Sequence, residues 1–466
     1  MEPSRRRSLT LVATILASGI ALLDGTIVNV ALPAIAEDLG GGLAGQQWVV
    51  NAYLLTLGSL LLVGGSLGDL YGQRRIFSLG VAGFGVASLL CAVAPTIEAL
   101  VAARALQGAA SALLTPASLA VISAVYDDAQ ERGAAIGTWT AWGGIATVVG
   151  PLAGGLLVDS VGWRWIFLVN VPFVLVTLAL IAAVVPPCEG PERPRVDVVG
   201  AGLCALGLAG PVLALIEQPS RGWSDPLVVG GLVGGAVLLA AFVWWERRVP
   251  QPMLPLGLFG RRNFAWANAE TLLVYAALSA LFFFLVIFLQ EEAGWSAVEA
   301  GLTTVPVTLI LFALSRRFGA LSQRYGPRVF MGGGPIVAGL GLLPLLWVDD
   351  SPSYLTDLLP AMVLFGLGLA LTVAPLTTTV MADAGRGSGG TASGVNNAVA
   401  RVAGLLGIAA VGVAVAGTGL GLDVTGFRTG MAVVAGLLVA GGLVGLIGIR
   451  NPGLADGEQP VLSSRA

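Results

Sequence analysis

Apolar residues run along this chain in long blocks, broken by short polar segments, rather than with the alternation of a surface strand. A helix that crosses a bilayer needs about 20 mostly apolar residues. The blocks predict fourteen such spans, at 9–36, 48–70, 76–94, 97–125, 133–158, 164–186, 198–217, 226–245, 264–290, 297–315, 328–347, 355–381, 388–416 and 429–449. Spans 198–217 and 226–245 carry the least regular pattern, because Pro211 and many glycines interrupt the first. Arg5, Arg6 and Arg7 ahead of an apolar run resemble a signal peptide. The run continues past Asp24 to Ala36, which predicts an uncleaved first span.

The polar segments carry a charge asymmetry. With the N-terminus inside, nineteen of the 24 basic residues, all Arg, fall in inner segments and three (Arg164, Arg221, Arg428) in outer ones. Arg104 and Arg401 lie within spans. Positive charge is retained on the cytoplasmic side, so both termini are expected there. Trp48, Trp163, Trp223, Trp295 and Trp347 stand at outer edges and Trp244 and Trp245 at an inner one, as interfacial anchors do. Trp139 and Trp142 lie within span 5 and are candidates for lining a cavity or for packing.

Residues 65–74 (GSLGDLYGQR) follow span 2, and residues 319–328 (GALSQRYGPR) follow span 10; five of the ten positions are identical. Two six-helix halves are therefore expected, 1–187 and 263–450, with two additional spans and their linkers in 188–262 and a disordered cytoplasmic tail in 451–466. Duplicated halves with a site between them are a common transporter plan.

Composition agrees with a lipid-facing surface. Only 11% of residues are charged, against about 25% in soluble domains. No basic stripe points to nucleic acid. His is absent, so proton chemistry would fall to carboxylates, with Arg as a fixed cation. Cys91, Cys188 and Cys204 lack ligand spacing and are expected to be free thiols. A membrane-embedded enzyme would need a catalytic constellation, and no Cys pair, Lys or clustered acidic motif offers one. No phosphate-binding GxxxxGK[ST] loop points to ATP as the drive.

Four charges inside spans carry the candidate chemistry. An ionised carboxylate near the bilayer centre costs at least ~2.5 kcal/mol, so Asp24 must protonate, pair or face water. It is either a proton-coupling group or a structural acid bonded to Thr26 or Asn29. Arg104 needs an acceptor and has Gln107 one turn away. Glu270 in span 9 is a second titrating group, a counter-charge for substrate, or a snorkelling residue. Arg401, after Asn396 and Asn397 in span 13, is open to the same readings, and Asn397 with Arg401 is a candidate for the cavity wall.

Two segments carry mechanics. In span 5, Pro151 lacks an N–H and frees the carbonyl of Thr147, while Gly144, Gly150, Gly154 and Gly155 permit close helix approach. In the inner loop, Gly65, Asp69, Gly72, Arg74 and Arg75 make a candidate gate, with Asp69 able to hold a helix N-terminus or an Arg when the inner side is shut.

Together these segments resemble the major facilitator superfamily, and within it the fourteen-span drug:proton antiporters. Residues 65–75 resemble its inner-loop motif, although Leu70 and Gln73 stand where basic residues are usual. Residues 104–108 resemble the span-4 proton-transfer motif, 144–155 the antiporter motif of span 5, 23–35 the span-1 motif of the fourteen-span group, and 162–173 its span-6 start. The second half matches less well, with Gln323 where the repeat would place the carboxylate of Asp69. The resemblance implies an all-α fold of two six-helix bundles plus two central helices in the cell membrane. It implies a monomer exporting a small amphipathic molecule against protons, needing no cofactor or metal, with Asp24, Arg104, Gln107, Asn29 and Glu270 at the coupling site. The alternatives are a dedicated exporter of one host-made metabolite, an uptake symporter and a non-transporting receptor.

Overall fold

The computed structural model describes residues 3–186, 197–383, 389–416 and 422–451. Cys188, the inner arginines Arg193, Arg195, Arg386 and Arg465, and the expected tail beyond Asn451 lie outside these. Asn451 itself is docked, its Oδ1 accepting the Arg328 amide at 3.1 Å.

Among the described residues the chain forms helices and no strand. They are α1 (Pro3–Leu39), α2 (Gly42–Tyr71), α3 (Gln73–Ala92), α4 (Ile97–Val125), α5 (Ala129–Val161), α6 (Trp165–Leu168), α7 (Asn170–Val184), α8 (Val198–Arg221), α9 (Pro226–Glu246), α10 (Arg262–Glu291), α11 (Ala297–Leu302), α12 (Val305–Tyr325), α13 (Pro327–Gly341), α14 (Leu359–Asp383), α15 (Gly389–Ala416) and α16 (Val424–Gly448). Fourteen stretches are long and apolar enough to cross a membrane, in agreement with the fourteen predicted.

The differences lie in continuity. Span 6 is interrupted at Val169 and span 10 at Thr303–Thr304. Pro172 cannot donate to the carbonyl of Leu168, nor Pro306 to that of Leu302, and α6 and α11 end at those residues. Span 11 finishes in a tight 3-10 turn, Leu343–Trp347. By contrast α8 runs unbroken through Pro211, whose ring faces Gly235 on α9. Two expected anchors have other work: Trp163 is buried and donates to Asp38 at 3.0 Å, and Trp245 donates to Asp197 at 2.9 Å.

Small residues set the helix spacing. A Cβ on Gly108 would strike the carbonyl of Tyr53, and one on Gly64 that of Ala112, so α2 and α4 pack backbone to backbone. Gly334 and Gly368 do the same for α13 and α14, and Gly332 and Gly442 for α13 and α16. In lipid, where burying apolar surface gives no net drive, such close approach is what holds helices together.

Helices α1–α7 pack chiefly on one another, as do α10 and α12–α16, while α11 packs chiefly on α5; α8 and α9 pair and lean through α8 on α2 and α15. Arginines mark one end of the molecule and cap helices there. Arg6 donates to the carbonyl of Val184, Arg74 to Ala182, Arg262 to Gly448 and Arg328 to Leu446. Each meets a last-turn carbonyl left without an intrahelical donor. The charge bias read as topology therefore also closes helix ends.

The core is divided unevenly between the two ends. At the arginine-poor end one apolar cluster runs across both groups of helices, from Ile27, Leu32 and Phe167 to Phe284, Phe365 and Phe427. Towards the arginine-rich end it splits into two, one around Phe77 and Phe84, the other around Phe264 and Met331. The groups are joined at one end and part towards the other, where α2 stays against α15.

Candidate functional site

Asp24 projects from the middle of α1 into the first group of helices and is 0% exposed. Arg104 of α4 reaches it, Nη1 to Oδ2, at 2.5 Å. The same nitrogen donates to Gln107 Oε1 at 2.6 Å, and Arg104 Nε donates to the Val49 carbonyl of α2 at 3.2 Å. Gln107 Nε2 returns to Asp24 Oδ1 at 2.9 Å and donates to Ser88 of α3 at 2.9 Å. Its oxygen also accepts from the Cys91 thiol at 3.7 Å. An amide can donate two hydrogen bonds and accept two, and Gln107 makes all four.

Asn170, the first residue of α7, completes the cluster. Its Nδ2 donates to Asp24 Oδ1 at 3.2 Å and to Ser88 Oγ at 3.3 Å. The guanidinium lies 4.4 Å from the centroid of Tyr53 and 5.9 Å from that of Phe167. Such faces attract a cation and exclude water from it. Four helices and the carbonyl of a fifth thus converge on one ion pair. Breaking a buried pair by removing one partner costs about 3–5 kcal/mol, so the cluster behaves as one unit.

The geometry joins Asp24, Arg104 and Gln107 from the predicted set. It leaves out Asn29, which is half-buried on α1 with no side-chain bond among the described residues, and Thr26, which bonds the Leu23 carbonyl instead. Sequence reasoning missed Ser88, Asn170 and Tyr53. The available signal was Asn170, a lone amide in the apolar run of span 6.

Glu270 lies elsewhere. On α10 it is 0% exposed, wedged against Gly445 of α16 near the backbone of Met331 on α13. Neither carboxyl oxygen has a hydrogen-bond partner among the described residues. It therefore neither snorkels nor faces the cleft between the two groups.

The gate and antiporter segments fall at opposite ends. Gly72, with φ 91°, turns the chain between α2 and α3, and Gly65 faces Pro116 of α4. Asp69 accepts only from Gln73, at 2.7 Å, Arg74 caps α7, and Arg75 is exposed. Among the described residues Asp69 holds no helix N-terminus and no Arg. On α5, Gly150 and Gly154 seat Thr26 and Ile27 of α1, Gly155 meets the backbone of Val298, and Pro151 meets Gly301 of α11. Gly144 has open space around it. Trp139 donates to Ser18 of α1 at 3.0 Å, while Trp142 is 51% exposed.

Polar links between the two groups gather at the arginine-poor end. Asp159, near the end of α5, accepts the amides of Ala297 and Val298 at the start of α11, at 3.2 and 3.0 Å. Gln290 donates to the Val30 carbonyl at 3.1 Å, Gln46 to Glu291 at 2.5 Å and Gln47 to the Ile408 carbonyl at 3.1 Å. No hydrogen bond or ion pair joins the groups at the other end among the described residues.

The family model described as Major Facilitator Superfamily matches residues 14–408. The chain belongs to the Major Facilitator Superfamily. This transporter is 41% identical over 87% of its length to the puromycin resistance protein pur8 of Streptomyces alboniger, covering 81% of that protein. It is 37% identical to the multidrug resistance protein Stp of Mycobacterium tuberculosis, over 88% of this chain and 76% of that one. It is also 37% identical to the probable actinorhodin transporter of Streptomyces coelicolor, over 88% of this chain and 72% of that one. A peptide transporter crystal structure with sulfate shares the fold at a TM-score of 0.69 and 14% identity, covering 96% of this chain and 98% of that one. The facilitator is thus a multi-pass protein of the cell membrane, in a family of transporters rather than enzymes.

Proposed function

We propose that this facilitator is a proton-coupled antiporter that exports small amphipathic molecules, such as antibiotics, dyes or secondary metabolites, by alternating access. The observation that carries the reading is the unequal interface, sealed by Asp159, Gln46, Gln47 and Gln290 at the arginine-poor end and parted at the other. With the arginine-rich end in the cytoplasm, this is an inward-open state ready to load substrate. Asp69, without a cross-half partner among the described residues, is in this reading the inner latch undone.

Export then requires the sealed end to part and the inner latch to form. A proton on Asp24 would cancel the charge that Arg104 pairs with, so in this reading proton uptake and weakening of the ion pair go together. Glu270 has no partner to give up and is the second proton-exchanging group. A charge moving down 100 mV supplies about 2.3 kcal/mol. No cofactor takes part.

The names of the relatives, resistance proteins for puromycin and for multiple drugs, support export and a broad substrate range. A narrower reading, one host-made metabolite, is favoured by the likeness to the actinorhodin transporter. The test is susceptibility of an efflux-deficient bacterium to a panel of dyes and antibiotics, with wild type and Asp24→Asn at equal membrane expression. Resistance to several compounds that needs Asp24 and collapses with a protonophore is expected. Resistance to none, with good expression, overturns the broad reading.

A further inference from the structure

We propose that Arg401 is an anion-recognition residue in the cleft, and that this transporter prefers substrates carrying an acidic group on an aromatic body. The substrate class builds on the export reading above; binding at Arg401 does not depend on it.

Charges deep within the spans are few. Asp24 and Arg104 cancel one another, and Glu270 is enclosed by α10, α13 and α16 away from the cleft. Arg401 remains. Arg stays charged in any protein environment, and among the described residues it has neither a hydrogen bond nor an ion pair. It is half-buried on α15.

Its place on the helix shows where it looks. Leu405 and Ala409 turn to α8, while Asn396 and Gly407 turn to α10. Gly394 faces Leu62 of α2, and Arg401 itself lies against Gly58, where a Cβ would meet its own Cβ at 3.2 Å. Arg401 therefore stands on the face between α2 and α10, helices of opposite groups. Exposed Asn397, one turn towards the parted end, extends that face. Tyr275 of α10 is half-buried and lies between Thr271 and Ser279, which meet Asn396 and Gly404 of α15 on either side of Arg401. A guanidinium with an open donor fork, level with a tyrosine of α10, matches a planar carboxylate or phenolate.

The experiment compares fluorescein and rhodamine 123, which share a xanthene body and differ in charge. Binding to the purified full-length protein is read by fluorescence anisotropy, and transport by uptake into inverted vesicles under an imposed pH gradient. Wild type is expected to bind fluorescein at least tenfold more tightly than rhodamine 123, a comparison that needs no variant. Arg401→Gln is expected to weaken fluorescein tenfold or more and leave rhodamine 123 unchanged, with Arg401→Lys restoring part of the loss. Equal loss of both probes in Arg401→Gln, a preference for rhodamine 123, or binding of neither by wild type overturns the proposal. Rhodamine 123 transport without fluorescein binding overturns it and leaves export standing. Fluorescein binding that needs Arg401, with no transport of either probe, supports the anion site and removes export of these dyes.

Discussion

Each half of the transporter buries an acid on its first long helix, Asp24 on α1 and Glu270 on α10, and the two are held in opposite ways. Asp24 has a guanidinium and two amide donors around it; Glu270 lies against Gly445 near the backbone of Met331, with no hydrogen-bond partner among the described residues. Both are 0% exposed, so burial alone does not define what a membrane acid does. The first acid is a structural member of a network, and any proton it takes must act through that network. The second belongs to no hydrogen-bond network among the described residues, so a change there should act on proton exchange, as proposed above, rather than on packing.

The comparison breaks most readily at Arg104. Arg104→Met leaves Asp24 buried without its counter-charge and is expected to lower stability by about 3–5 kcal/mol. Thermal unfolding in detergent measures it, and a second change, Asp24→Leu, should recover a large part of the loss. A single variant as stable as wild type would mean the pair is not a unit. Asn170→Leu removes one donor from each of Asp24 and Ser88 and should cost about 1–3 kcal/mol in the same assay. An unchanged midpoint would confine the network to Asp24, Arg104 and Gln107.

Asp159→Ala removes the acceptor at the start of α11, an effect of about 0.5–2 kcal/mol. It should appear as faster hydrogen exchange at Ala297 and Val298 and a population shift towards an open arginine-poor end. Protection equal to wild type there would show that the apolar seam alone seals that end. Glu270→Gln should change stability by less than about 1 kcal/mol, because no bond is lost. In vesicles it should retain substrate binding and lose the response of transport to an imposed pH gradient. A destabilisation like that of Arg104→Met would erase the contrast between the two acids.

Much of this was legible in the residues. The spans were readable because lipid tolerates only long apolar helices; the breaks at Val169 and Thr303–Thr304 were not anticipated, although the missing N–H of Pro172 and Pro306 accounts for them. Asp24, Arg104 and Gln107 stood out because charge and amide groups are rare in such runs. Glu270 stood out equally, yet nothing in its span said which way it pointed. Ser88 was obscured, since a single hydroxyl in an apolar helix is common; Asn170, a lone amide, was visible but gains its meaning only from what lies opposite.

The sequence by itself determined the number of spans, the end at which arginines gather and which positions carry costly groups, because those depend on transfer from water to lipid, one segment at a time. Only the tertiary structure decided that Asp24 meets Arg104, that Glu270 finds no hydrogen-bond partner among the described residues, that Arg401 stands between the halves and which end is sealed. Those depend on the rotation of each helix about its axis and on pairings between residues 80 or more apart in the chain, such as Asp24 with Arg104, where close packing rather than hydropathy makes the choice.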